Sequence, residues 1–406
     1  MKYQKAWIAL PALNEFDYIH ELIACLNRQT FRQFEFVVCV NQPDAWWEIP
    51  GKIDVCDNNV KTLEYLKSLN CDFKISVIDH ATRGKGWEEG KSGVGWARKT
   101  VMDFIISKTS TDDIIISLDA DTVFNENYFA EVIDQFNRNP DAVGMAVPYY
   151  HKLTDDVRAN KAILRYEIYM RHYIINLFRI QNPYAFTALG SAMAVPVWAY
   201  KAIKGLTPKS SGEDFYFLQK LRKYGKLLLW NEEKVFPAAR FSDRVFFGTG
   251  PAMIKGDAGD WSSYPIYEVA LFDEVKKTTD SFSAIRKENM ETPMTDFLLE
   301  QFNTDDLWNP LRKNFHTETQ FIKACHEKVD GLRILQYLKQ RQKEIGKSDD
   351  DGMKEFLFTF YPDFVVKSKI DFHNFTFQNA EISELDEIRN FLEQKENLYR
   401  KHSCQN

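Results

Sequence analysis

No pair of cysteines in this chain has the spacing of a metal site or a disulfide framework. Cys25, Cys39, Cys56, Cys71, Cys325 and Cys404 include no Cys-x-x-Cys, so neither a zinc centre nor stapled loops are expected. Cys25 and Cys39 sit among apolar residues and read as core thiols. The reducing cytoplasm is the default compartment. An excess of positive charge is absent as well: 52 Lys and Arg stand against 58 Asp and Glu, the formal net charge is −6 and no long basic stripe occurs, which argues against nucleic acid as a partner. A bilayer span needs about 20 predominantly apolar residues, and none stands out. The uncharged stretch 183–200 contains Gly190, Ser191 and Pro196 and reads as buried strand and turn. Met1-Lys2-Tyr3-Gln4-Lys5 runs into an apolar stretch broken by Asn14 and Glu15, unlike a secretory leader. The eight histidines show no metal-ligand spacing, and His80, His151 and His172 read as packing or surface residues. There is no internal repeat and no low-complexity tract.

What is present is a chain of 406 residues, 44% hydrophobic and 14% aromatic, long enough for two or three domains and a sizeable core. The first half alternates strand and helix patterns. Trp7 to Leu10 is a short apolar run ended by Pro11. Ile19, Leu22, Ile23 and Leu26 then recur at helical spacing. Phe34 to Val40 and Lys74 to Ile78 read as strands. Ala97, Val101, Phe104 and Ile105 mark a helix face, and Ile114 to Leu118 is a β-branched run expected to be a fully buried strand. Phe129, Val132, Ile133 and Phe136 mark the next helix, and Ala142 to Val147 the next strand. This order predicts an α/β fold with a doubly wound, mostly parallel sheet, whose ligands bind beyond the carboxyl ends of the strands. Asp155 to Ile180 and a segment between Gly212 and Gly225 read as helices, Leu227 to Trp230 as a strand, and Phe241 to Pro265 as a long loop. Past residue 266 the apolar spacing is helical throughout, with Ser348-Asp349-Asp350-Asp351-Gly352 as a surface linker and Ser383 as a helix cap. The expected division is 1–265 as a catalytic domain and 266–406 as a mainly helical module.

Three short elements carry chemistry. Ile114-Ile115-Ile116-Ser117-Leu118 runs into Asp119-Ala120-Asp121. On extended chain, residues two apart point to one side, and two carboxylates placed together call for a cation between them. Hard cations such as Mg²⁺ bind carboxylate and phosphate oxygens, so the pair reads as a clamp for a metal–diphosphate complex; its plain alternative is a polar turn. Ser211-Gly212-Glu213-Asp214 opens a helix. Acids there are favoured by the helix dipole, or Asp214 serves as a general base toward a hydroxyl. Pro11-Ala12-Leu13-Asn14-Glu15 follows the first strand, where a polar pair either caps the helix or bonds a base or ribose.

Taken in order, these elements resemble the inverting family 2 glycosyltransferases of the GT-A fold. The resemblance runs over about residues 5 to 260. It rests on Pro11 to Glu15, Gly84-Lys85-Gly86, Gly95-Trp96-Ala97-Arg98, Asp119 to Asp121, and Glu213-Asp214 with Gly225. It implies that Pro11, Asn14 and Glu15 line the nucleotide pocket, with Asn41 and Arg83 beside them. It further implies that Asp119 contacts ribose and, with Asp121, a divalent cation (Mg²⁺ or Mn²⁺). Asp214 is then the catalytic base, with Glu213 beside it near the acceptor. Gly190, Ser191, Arg240 and Arg244 fall along the donor and acceptor cleft, where an arginine would offset diphosphate charge. The chain departs from the family after its second strand, where Val40-Asn41-Gln42-Pro43-Asp44 replaces an Asp-rich turn. It also lacks Gln-x-x-Arg-Trp, and no histidine lies between Asp214 and His316.

The expected activity is therefore metal-dependent, inverting transfer of a sugar from a nucleoside-diphosphate donor to an acceptor hydroxyl, in glycan or cell-surface polysaccharide synthesis. The acceptor would be a glycan, a lipid-linked sugar or a small molecule. The enzyme is expected in the cytoplasm, with peripheral contact at the inner face of the membrane left open. Rivals are a sugar nucleotidyltransferase, a retaining transferase, and a non-catalytic scaffold on the same fold.

Overall fold

The computed structural model describes residues 2–243 and 248–405. They form two compact units: residues 1–163, 186–260 and 400–406 in one, and 164–185 and 261–399 in the other.

The first unit is built on a seven-stranded sheet. Its strands are β1 (Lys5–Ala12), β2 (Phe34–Asn41), β3 (Lys74–His80), β4 (Asp113–Ser117), β6 (Gly144–Ala146), β7 (Met193–Pro196) and β8 (Leu227–Leu228), in the order β3-β2-β1-β4-β7-β6-β8. A separate ribbon pairs β5 (Thr122–Phe124) with β9 (Val235–Pro237). The strands β3, β2, β1 and β4 are mutually parallel, whereas β7 runs antiparallel to both β4 and β6. The parallel half arises because each apolar run is followed by an amphipathic helix that returns the chain across the sheet. Those crossovers include α1 (Phe16–Arg28), α2 (Ile53–Ser68) and α3 (Val94–Ile106), and α4 (Tyr128–Arg138) follows β5. Ile114, Ile115 and Ile116 are wholly buried, as expected of a strand with neighbours on both edges. Pro11 does not end β1. The register with β4 stops at Ala9–Ser117, while that with β2 continues to Ala12–Val40. Proline, lacking an N–H, is tolerated where one edge has no partner.

Four sequence expectations change. The chain from Phe241 to Pro265 is not all loop, because Thr249–Asp257 is helical with Ala252 and Met253 buried. Burial of that face overrides the poor helix propensity of its glycines. The stretch 183–200 is turn and strand only to Pro196, after which Val197–Ala202 is helix. Ser348 to Gly352 is no linker: the Ser348 side chain accepts from the Asp351 N–H and caps the helix Asp349–Phe360, whose first turn holds the three acids. Ser383 lies inside the first turn of Ile382–Gln405, where the Glu384 carboxylate accepts from the Glu381 N–H.

The second unit is helical and contains, among others, Val269–Asp280, Gly331–Ile345 and most of Ile382–Gln405. Glu167 is fully buried and receives both Arg171 and Arg389, and Arg171 also reaches buried Glu396 at 2.6 Å. Each of these four buried charges has an opposite partner, as burial requires. Among the described residues, no helix is long and apolar enough to cross a membrane.

Candidate active site

The sheet delivers its acids where β4 ends. After Ser117 the chain does not stay extended: the Thr122 N–H donates to the Asp119 carbonyl at 3.1 Å, closing a turn. Asp119 and Asp121 therefore lie in a turn and not, as expected, on an extended segment. The turn sends them to different cations. Asp119 Oδ1 accepts from Arg98 Nη2 at 2.8 Å, and Asp121 Oδ2 accepts from Arg240 Nε at 2.6 Å.

Arg98, on α3, is 1% exposed and addresses four partners. Its Nε donates to Glu213 Oε1 at 3.1 Å, Nη1 to Ser117 Oγ and to the Gly190 carbonyl, and Nη2 to Asp119. A guanidinium can do this because its donors form a rigid fork. Burial pulls the group's pKa down, but Asp119 and Glu213 outweigh burial and hold it above its ordinary value. The same contact explains Gly190. A Cβ there would lie 2.3 Å from Arg98 Nη2 and 3.3 Å from Asp119 Oδ2. Gly190→Ala is expected to displace Arg98 and lower turnover by about 10- to 100-fold, since small misplacements of this kind are costly. Steady-state kinetics at unchanged fold would check it, and wild-type turnover would refute it. Ser191, the next residue, is buried.

The helix α5 (Val157–Arg179) precedes β7, and the short helix α6 (Val197–Ala202) follows that strand. Next comes α7 (Glu213–Tyr224), which begins as the sequence predicts. Gly212 takes a left-handed φ of 72° and sets Glu213 and Asp214 in the first turn. Glu213 is buried against Arg98. Asp214 is half-buried, and its Oδ1 accepts from the Phe215 N–H at 2.7 Å. Desolvation, then the charge of Glu213, pushes the Asp214 carboxyl up to about 7, with Arg98 pulling the other way. A carboxylate in that range suits proton transfer at neutral pH.

Arg240 forms the other half of the site. Its Nη2 reaches both carboxylate oxygens of Glu15 at 2.9 Å, and its guanidinium carbon lies 4.0 Å from the Tyr18 ring centroid. The Glu15 carbonyl opens α1 by accepting from the Tyr18 and Ile19 N–H groups, but its side chain makes no cap. Of the two readings of Glu15, the helix-capping one is therefore not what the carboxylate does.

The other candidate residues order the surrounding loops. Asn14 has a φ of 57°, and its N–H donates to Asn59 Oδ1 at 2.7 Å. Asn41 is buried and ties β2 to the end of β1 through the Ala12 carbonyl. Arg83 is exposed, pairs with Glu48 at 3.1 Å and lies over Trp47. Asp44 Oδ1 accepts from the Gly84 and Gly86 N–H groups, with Gly86 too close to Asp44 for any side chain. Asn14, Asn41 and Arg83 thus meet Asn59, the Ala12 carbonyl and Glu48 in these loops. Arg244 lies outside those residues. Ser117, Tyr18 and the role of Arg98 escaped the sequence reading. The available signal was Arg98 itself, a charge embedded in the apolar run Trp96-Ala97 and Val101-Met102.

The donors that the sequence offers for a divalent cation, Asp119 and Asp121, each meet an arginine. Among the described residues no group of three or more His, Cys, Asp or Glu is placed to hold one. Mg²⁺ commonly takes one or two carboxylates and completes its shell with phosphate oxygens and water. The two aspartates fit a cation that arrives with a diphosphate, not one held by protein groups alone.

With this geometry in view, residues 114–271 match the family model described as Glycosyl transferase family group 2. The matched segment belongs to that family. The segment contains both acidic motifs, Gly190, Ser191 and Arg240, while Pro11 to Glu15 and Arg98 precede it. No curated protein sequence matches the chain. Solved structures similar to the chain include S. aureus TarS 1–349 in complex with UDP-GlcNAc, at 13% identity and TM-score 0.42 over 84% of this chain and 92% of that one. Another is the mannosyltransferase PcManGT from Pyrobaculum calidifontis in complex with GDP-Man and Mn²⁺, at 12% identity and TM-score 0.35 over 80% and 87%. A third is GalNAc-T7 with UDP, GalNAc and Mn²⁺, at 13% identity and TM-score 0.35 over 74% and 55%. Likeness at this level carries no argument about the ligands of the glycosyltransferase segment.

Proposed function

We propose that the protein transfers a sugar from a nucleoside-diphosphate donor to an acceptor hydroxyl by a single displacement with inversion. The observation that carries this reading is the Arg98 junction. It joins Asp119, at the carboxyl end of the parallel strands, to the Glu213-Asp214 helix start, so a donor bound at Asp119 has a base within the same constellation. Asp214 takes the proton of the acceptor hydroxyl as its oxygen bonds to the anomeric carbon, and the bond from that carbon to the diphosphate breaks. Arg240 offsets charge near Asp121. Asp119 and Asp121 would hold a divalent cation, which supplies Lewis-acid stabilisation of the leaving diphosphate. Pro11, Asn14, Asn41 and Arg83 shape the nucleotide end, and Gly190 and Ser191 the sugar end. Peripheral membrane contact and a role in cell-surface glycan synthesis are extensions of the same reading.

Incubating the protein with a panel of nucleotide sugars, sugar acceptors and Mn²⁺ or Mg²⁺ tests it. The expected result is nucleoside diphosphate release coupled to a glycoside of inverted configuration by proton NMR. A retained configuration would remove the single displacement, and pyrophosphate release would favour a nucleotidyltransferase.

A further inference from the structure

We propose that Arg240 is a resident counter-ion of the donor site, holding Asp121 away from divalent cations until a nucleoside diphosphate draws the guanidinium off it. The proposal rests on the donor reading above. Arg240 Nε occupies Asp121 Oδ2 at 2.6 Å, while Nη2 holds Glu15 at 2.9 Å through both oxygens. The Tyr18 ring stacks on the guanidinium. The Arg240 and Glu15 side chains are 16% and 5% exposed and that of Asp121 14%, so these are shielded charges, for which pairing matters most.

A divalent cation entering alone must break this charge-assisted bond, and it competes for the very carboxylate that Arg240 holds. A diphosphate alters the balance. It brings at least two negative charges and paired oxygens that match the guanidinium fork. Arg240 is held on one side by Glu15 and Tyr18, from the start of α1, and on the other by Asp121, from the turn after β4. It can therefore exchange Asp121 for phosphate without losing Glu15. Asp121 is then available to a cation that also touches the phosphate. The consequence is synergistic binding, with the cation weak alone and tight with nucleotide.

The test is Mn²⁺ binding to the full chain, read from the free-ion electron paramagnetic resonance signal, first without nucleotide and then with UDP or GDP. R240Q is expected to bind Mn²⁺ alone at least about tenfold tighter than wild type, while R240K, which keeps the charge, stays near wild type. Circular dichroism and thermal unfolding establish that each variant is folded. The double variant R240Q/E15Q removes the carboxylate that R240Q leaves unpaired, and it too should bind Mn²⁺ alone more tightly than wild type. If both Arg240 variants lacking the charge bind Mn²⁺ no better than wild type, the counter-ion proposal is wrong. With nucleotide present, wild type should gain more Mn²⁺ affinity than R240Q. If UDP and GDP leave wild-type affinity unchanged while R240Q still binds tighter without them, the donor reading falls and Arg240 remains the counter-ion of Asp121.

Discussion

Asp214→Asn is expected to lower kcat by about 10²- to 10⁴-fold, the usual contribution of a positioned general base, while leaving nucleotide binding nearly intact. Asparagine keeps the size of the side chain and its oxygen toward the Phe215 N–H, but it cannot take a proton. The same carboxylate sets a pH signature. With its pKa raised to about 7 by desolvation and Glu213, the base form accumulates only as pH rises through that value, so kcat/KM for wild type should climb through neutrality. Stability should move in the opposite sense. The folded state holds this proton more tightly than the unfolded chain, whose reference value is 3.8. Over that window stability falls as pH rises, and the penalty is complete above about 7. Asp214→Asn removes the penalty, so the variant should be more stable than wild type at pH 8 and no more stable near pH 4. Denaturant unfolding at the two pH values checks this, and equal stability at pH 8 would remove the strained-base interpretation.

The second large effect concerns Arg98. Arg98→Gln leaves Glu213 buried without its cation and releases Asp119. Breaking one side of a buried ion pair costs about 3–5 kcal/mol, and transfer activity should be lost as well. Arg98→Lys should recover part of the stability but little activity, because a point charge cannot address Ser117, Gly190, Asp119 and Glu213 together. An inactive enzyme could reflect unfolding alone, so the informative variant is Arg98→Met with Glu213→Gln. Removing both charges should restore most of the stability, since replacing a buried pair by uncharged groups is often neutral, yet turnover should remain far below wild type. Recovery of activity together with stability would show that Arg98 is only structural.

These effects indicate how much of the site the sequence carries. The strand Ile114 to Ser117 and the helix opened by Gly212 were legible because each combines a periodic apolar pattern with a local stop or start signal. The acids they position, Asp119 and Asp214, could be named for the same reason. The pairing of those acids with cations was not legible. Asp119 and Asp121 are two residues apart, but they lie in a turn closed by the Thr122 N–H and pair with different arginines, and periodicity is silent about turns of that kind. Arg98 and Arg240 come from 21 residues upstream of Asp119 and 119 residues downstream of Asp121, and only tertiary packing brings them in. The helix Thr249–Asp257 was hidden by its glycines, and the capped helix start at Ser348 by an acidic run that resembles surface chain. In both places a local composition signal lost to burial or to capping.

The central claim is a single donor site shared by the two arginine-linked acid groups. Calorimetric titration of UDP and GDP into the full chain with Mn²⁺, on wild type and on Asp121→Ala, addresses it most directly. One nucleotide is expected to bind wild type, with a thermal stabilisation of about 2.7 kcal/mol at 100 times its dissociation constant, and to bind Asp121→Ala at least about tenfold more weakly. No binding by either nucleotide at any Mn²⁺ concentration, or equal binding by Asp121→Ala, would contradict it.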